Sequence, residues 1–342
     1  MKHESKKALV IKIGAIGDVV MILPAIEYLK NNQGCKNILW ICGKSVQPLI
    51  NAFDKDIQTF PVDEEILFNA GYFKRVFLFT KIWLKIFFIH FDYKFIAHTD
   101  IRYRLIGFFA FAKITRTFAQ TSKDYYPIPG RYYGDEYLRL VSGISDYNML
   151  KATLPKVKVP TDTKFNFISP NTIVLHPGGA KNKLRDDVLR RWSLENYKKL
   201  SELLIINGFD VVITGSNLDL YTIEYFKFSK VNNLVGQTDL LQLIYIYSQA
   251  GLVITHDSGP FHLAAISGSK VLGLFGPINP VERVPSAQKN ITYMWEGKTL
   301  TCSPCYDGRD YADCKNNLCM KNISVGKVFE QAMLLLDSNK LI

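Results

Sequence analysis

Short runs of Val, Ile and Leu alternate along the chain with longer stretches in which apolar residues recur every three or four positions. Ala8-Leu-Val-Ile-Lys-Ile13 is the first such run and stops at Gly14; beyond Asp18, residues Val19, Ile22, Leu23, Ile26 and Leu29 keep helical spacing. The pattern predicts a strand, a glycine turn and a helix. Residues 38–42 predict a second strand, and strand-like and helical stretches keep alternating through 95–98. That alternation is the signature of a parallel sheet covered by helices. Pro155, Pro160 and Pro170 then punctuate a polar segment at 154–170 with no sustained periodicity, which reads as an interdomain linker. A second series follows, with strands at 172–176, 210–214 and 252–255 and a helix at 193–207. The expected class is α/β with two Rossmann-like halves, residues 1–160 and 161–342. A cleft is expected where the carboxyl ends of the two sheets meet, and the last helix is expected to pack back toward the first half.

Hydrophobic residues make up 48% of the 342 and charged residues 21%, values that a packed globular protein shares and a disordered one does not. No stretch has the length and apolarity of a membrane span: the greasiest region, 76–95, is broken by Lys81, Lys85, His90 and Asp92. Lysines near the N-terminus are not followed by a signal-peptide apolar run, so a cytoplasmic protein is expected. The formal charge is +11, and residues 1–160 hold 23 basic and 14 acidic side chains, so most of the excess lies in the first half. Such a field suits nucleic acid, an anionic membrane surface or a phosphorylated glycolipid equally well. Residues 73–91 combine Trp83, Phe87, Phe88 and Phe91 with Lys74, Arg75, Lys81 and Lys85, a composition that fits either a membrane interface or a helix packed on its own sheet.

Three glycine-bearing turns follow predicted strands. In Lys12-Ile-Gly-Ala-Ile-Gly-Asp18, Gly14 and Gly17 let the backbone approach a ligand, and Asp18 is either a helix cap or a reacting carboxylate. The third glycine of the dinucleotide fingerprint is missing. In His256-Asp257-Ser-Gly-Pro-Phe-His262 a strand ends and an apolar helix starts near Pro260, so backbone N–H groups around Gly259 and the Ser258 hydroxyl can hold a phosphate, with Asp257 and His262 in reach. His176-Pro177-Gly178-Gly179 adds a further turn, and the Arg190-Arg191-Trp192 run after it adds guanidinium groups suited to phosphate.

Taken in order, these turns make the chain resemble glycosyltransferase family nine, the ADP-heptose:lipopolysaccharide heptosyltransferases. The matching residues are 12–24, Phe91-Asp92-Tyr93, His176-Pro-Gly-Gly179, Arg190-Arg-Trp192, Thr214-Gly215-Ser216, Gly236, 257–265 and Leu274-Phe-Gly-Pro277. Each motif alone is weak, and the ordered set is specific. The resemblance implies the GT-B fold, two facing Rossmann-like domains with acceptor bound to the first and nucleotide sugar to the second. It also implies an inverting, metal-independent transfer with no cofactor, in which Asp18 is the general base. Ser258, Gly259, His262 and Arg190 would ease departure of the nucleoside diphosphate. Arg190 stands where the family usually has lysine. Asp219, near Gly215 and Ser216, is close to the family's acidic residue for the donor ribose, and Thr238 falls in the 236–240 loop that lies along the adenine.

The partners so implied are ADP-heptose, a lipopolysaccharide core acceptor and peripheral contact with the anionic inner membrane, with no nucleic acid. The alternatives are the same fold with another nucleotide sugar or a protein acceptor, and a noncatalytic nucleotide- or RNA-binding module. Cys302, Cys305, Cys314 and Cys319 cluster in a polar loop. Their spacing allows a structural Zn or Fe site, or else reduced thiols or an occasional disulfide.

Overall fold

The computed structural model describes residues 5–118, 127–144, 146, 149–181, 185–307 and 310–337, so positions 1–4 of the N-terminal segment lie outside the described residues. The chain divides into two compact units, Met1–Pro155 with Pro285–Ala287, and Lys156–Val284 with Gln288–Ile342.

In the first unit five strands, β1 (Lys7–Ile11), β2 (Asn37–Gly43), β3 (Gln58–Val62), β4 (His90–Ile96) and β5 (Phe111–Thr117), form a parallel sheet in the order β3-β2-β1-β4-β5. Val10 sits level with Trp40 on one side and Phe95 on the other. Helices cover both faces of the central strand, and so Ala8, Leu9, Val10 and Ile11 are all fully buried and the run shows no alternation. The strand read from sequence as 8–13 ends at Ile11, although Lys12 N–H still donates to the Ile41 carbonyl at 3.1 Å. Leu78, Ile82 and Ile86 of the helix Tyr72–Ile86 pack into the same core as Leu9, Ile11 and Ile96.

The second unit has six parallel strands, β6 (Thr172–His176), β7 (Asp210–Ile213), β8 (Asn232–Asn233), β9 (Leu252–His256), β10 (Val271–Phe275) and β11 (Ile291–Trp295), in the order β11-β10-β9-β6-β7-β8. Trp192 is a core residue here: it is buried, and its indole N–H donates to the Ile323 carbonyl at 2.8 Å. The final helix is Val325–Asp337. Val328 and Ala332 join Leu200 and Leu204 in the second unit's core, because that apolar stripe finds its complement on the helix Leu194–Ile206.

Each sheet reverses its strand order once, between β1 and β4 in the first and between β6 and β9 in the second. The loops leaving those strand pairs diverge to opposite faces and leave a crevice at the carboxyl edge, where open α/β sheets bind ligands. Among the described residues no helix is long and apolar enough to cross a membrane.

Candidate functional site

At the first reversal, β1 leads into the helix Ile16–Asn31. Ala15 is its N-cap and makes no side-chain cap bond, so Asp18 is not the cap but a first-turn residue. Its carboxylate instead lies 2.9 Å from Nζ of Lys12, a lysine that is 1% exposed. A Cβ on Gly14 would meet nothing within 4 Å, so the space beside this loop is open, while Gly17 is buried in the helix start. From β4 come His98, stacked on Tyr103 with ring centroids 4.2 Å apart, and Asp100, which caps the helix Ile101–Ile106 and chelates Arg102. Burial, reinforced by the nearby Lys12 charge, lowers His98 to about 4, so the ring is neutral near pH 7. Lys12, His98 and Tyr103 escape the sequence reading. Only Lys12 leaves a trace there, as a charge inside an apolar run.

At the second reversal, three turns meet because β6 lies between β7 and β9. Asp219 ties two of them together: Oδ1 accepts from Gly179 N–H at 2.8 Å, and Oδ2 accepts from Ser216 N–H at 2.8 Å and from its hydroxyl at 2.7 Å. Burial raises the Asp219 carboxyl, and the His176 ring and these donors more than reverse it, leaving the group below the usual carboxylate range. His176 is buried and held near pKa 4, hence uncharged at neutrality, so the donors carry the effect. Its Nδ1 lies 3.0 Å from the Thr214 hydroxyl and 2.9 Å from that of Tyr247. The glycines are required: a Cβ on Gly178 would sit 2.3 Å from Asp219 Cγ, and Gly179 has φ +84°. The ribose role implied for Asp219 therefore meets a carboxylate already bonded to the protein through both oxygens, one that shapes the Gly178-Gly179 turn.

The third turn is 257–260. The helix Gly259–Ser267 starts here with Ser258 as N-cap and Pro260 in its first turn, and its first-turn dipole and N–H groups favour an anion. The Ser258 hydroxyl makes no cap bond and donates to the His256 carbonyl at 3.1 Å, while its side chain packs beside Gly179. Its backbone is thus better placed for a ligand than its hydroxyl. His262 is buried in the same turn of helix.

Arg190 ends the turn Val188–Arg190 with Nη2 3.1 Å from Asp257 and Nη1 3.5 Å from Asp187. The contact with Asp257 is an ion pair, and Arg190 Nε lacks a hydrogen-bond partner although buried. Burial works against the guanidinium charge and the Asp257 carboxylate more than compensates, so Arg190 stays charged. Arg191, whose guanidinium was offered to phosphate from sequence, donates from Nε to the Gly179 carbonyl at 2.9 Å. Thr238 is half-buried farther along this edge, in a turn whose Gly236 N–H donates to the Gly215 carbonyl at 2.9 Å. The assembly gathers the backbone donors of these turns and of a helix start with two guanidinium groups that are offset by the carboxylates of Asp187, Asp219 and Asp257, and its N–H groups can hold an anion.

The four clustered cysteines are free, with Cys302 exposed, Cys319 buried and the other two between. Cys314 Sγ accepts from Asn317 N–H at 3.2 Å, and Cys319 contacts the Asn317 side chain at 3.4 Å. Burial pushes the Cys319 thiol up to about 11, with neighbouring cysteines adding to it. Among the described residues no group of three or more His, Cys, Asp or Glu is placed to hold a metal ion.

Against known proteins, the family described as Glycosyltransferase family 9 (heptosyltransferase) matches residues 154–315. Lipooligosaccharide heptosyltransferase 2 of Campylobacter jejuni is 26% identical over 242 residues, 67% of this chain and 73% of the relative. Lipopolysaccharide core heptosyltransferase OpsX of Haemophilus influenzae is 23% identical over 303 residues, 82% of each chain. The solved structure of ADP-heptose LPS heptosyltransferase II from E. coli superposes with a TM-score of 0.72 at 19% identity, covering 98% of this chain and 99% of that one. That last likeness bears on the fold alone.

Proposed function

We propose that this chain, which matches glycosyltransferase family 9 over residues 154–315, is a glycosyltransferase that moves a heptose from ADP-heptose to the lipopolysaccharide inner core, with inversion and without a metal. The relatives are heptosyltransferases of lipooligosaccharide and of the lipopolysaccharide core, and the site chemistry suits the donor. The observation that carries the reading is the cradle of the second unit, where the Gly178-Gly179 turn clamped by Asp219 adjoins the 257–260 helix start and the charged Arg190.

In this reading the second unit binds the nucleotide diphosphate and the first unit the acceptor. Asp18 takes the proton from the acceptor hydroxyl as its oxygen bonds to the anomeric carbon. The bond from that carbon to the diphosphate breaks, and ADP leaves with the electron pair. A single displacement inverts the centre and needs no covalent intermediate. Negative charge growing on the leaving diphosphate is met by the N–H groups at 258–259, by His262 and by Arg190, the work a bound cation does elsewhere. Lys12, 2.9 Å from Asp18, holds that carboxylate in position. Since a nucleotide sugar is made in the cytoplasm and the acceptor is a lipid, the enzyme works at the inner face of the inner membrane as a peripheral protein.

The test is turnover of ADP-heptose with a heptose-deficient core acceptor, read by ADP release and acceptor mass. We expect Asp18→Asn to lose roughly 10²- to 10⁴-fold in kcat, to keep ADP affinity, and chelators to leave the wild type unchanged. Turnover of another nucleotide sugar, or of a protein acceptor, in place of these substrates would retain the family and overturn the heptose or core assignment.

A further inference from the structure

The helix Tyr72–Ile86 has two apolar faces, and the protein's own core uses one. Leu78, Ile82 and Ile86 are buried in the first unit. On the other side Phe73, Phe77, Leu84 and Phe88, spaced 4, 7 and 4 apart, line a single stripe along the helix and past its end. They are 86%, 74%, 66% and 80% exposed. The stripe does not stop there. Phe87 lies 6.0 Å, ring to ring, from both Phe109 and Phe111, and Phe109 is 5.0 Å from the exposed Phe108, so the apolar surface runs on to the start of β5. Trp83 fixes the two segments together, its indole donating to the Leu105 carbonyl at 2.9 Å.

Charge decides what such a surface meets. No carboxylate occurs between positions 66 and 91, or between 101 and 117. Of the carboxylates that flank these stretches, Asp92 and Asp100 are paired with Lys113 and Arg102, and Glu65 stands seven residues before the helix. Lys74, Lys81 and Lys85 are exposed and fall in one row beside the aromatic stripe. We propose that this face docks on an anionic lipid bilayer, the aromatic and leucine side chains entering the acyl boundary while the lysine row reaches the headgroup phosphates. Long lysine stems allow both at once. A second copy of the chain fits less well, since a two-fold contact through the same patch would set one lysine row against another. The inference rests on the peripheral placement proposed above only for which membrane is met.

The test uses the full chain and sedimentation with vesicles of phosphatidylcholine alone or mixed with phosphatidylglycerol. Wild type is expected to partition onto the anionic vesicles. The variant F77S/L84S/F88S is expected to lose about tenfold or more in partitioning, and K74Q/K81Q/K85Q about fivefold per lysine, the latter loss mimicked by high salt. Both should keep the wild-type melting transition, because every altered side chain is exposed, and should keep ADP affinity. Equal binding to neutral and anionic vesicles, or variants that partition like wild type, overturns the proposal. So does an apolar variant that turns a dimer into a monomer with lipid binding intact, or a lysine variant that loses RNA binding in a protein that ignores vesicles. Docking without any sugar transfer would overturn the heptosyl reading and leave this one standing.

Discussion

Asp219 shows how far a residue's type is from its role. From sequence it reads as a ribose ligand. In the structure, its two oxygens take three donors from Gly179 and Ser216 and it is 2% exposed, so it holds the glycine turn. Asp219→Ala leaves two backbone N–H groups without acceptors in a buried site, and should cost about 2–4 kcal/mol in urea unfolding and weaken ADP binding measured by calorimetry. Asp219→Asn, which keeps one acceptor oxygen, should recover part of both. Stability lost with ADP affinity unchanged would mean that the turn's shape does not matter to the ligand. Asp18 illustrates the converse: a cap by its place in the sequence, it is freed from capping because the helix begins two residues earlier and Lys12 holds its carboxylate.

For an element, the helix Tyr72–Ile86 separates packing from exposure within a single turn. Ile82 is fully buried and Leu84 is 66% exposed. Ile82→Ala should lower unfolding free energy by about 2–4 kcal/mol through transfer and cavity terms, whereas Leu84→Ser should stay within about 0.5 kcal/mol. Urea denaturation of the two variants checks this, and an equal loss at Leu84 would mean that the outer face is packed and unavailable to lipid. The strands teach a related lesson. Thr172–His176 matches the apolar run read from sequence, since β-branched residues buried on both faces leave no alternative. β1, by contrast, ends before Ile13, where the chain must turn to reach the helix start at Ile16.

For the whole molecule, neutral histidines in both units, His98 half-buried and His176 and His256 buried, set the response to acid. His98 and His176 fall from an ordinary 6.5 to about 4, and His256 is lowered as well, each chiefly by burial. Between those values the unfolded chain binds protons that the folded chain does not, so stability rises with pH through the window, is complete above about 6.5 and drains away toward about 4. Each histidine adds a slope of up to about 1.4 kcal/mol per pH unit. Urea midpoints at stepped pH should show it, and His98→Asn should flatten the curve by one proton; an unchanged curve would mean that His98 is already charged. The order of strands, glycine turns and helices, and with it the α/β class and the family resemblance, was legible along the chain, because burial on both faces of a parallel sheet and left-handed turns demand particular residue types. The site's supporting members were not. Lys12 on Asp18, Asp219 under Gly179, Arg191 on the Gly179 carbonyl and His98 against Tyr103 are pairings between residues up to 40 positions apart. Spacing along a chain constrains local conformation, whereas which polar groups share a buried space is decided by tertiary packing, where desolvation makes every unpaired group costly.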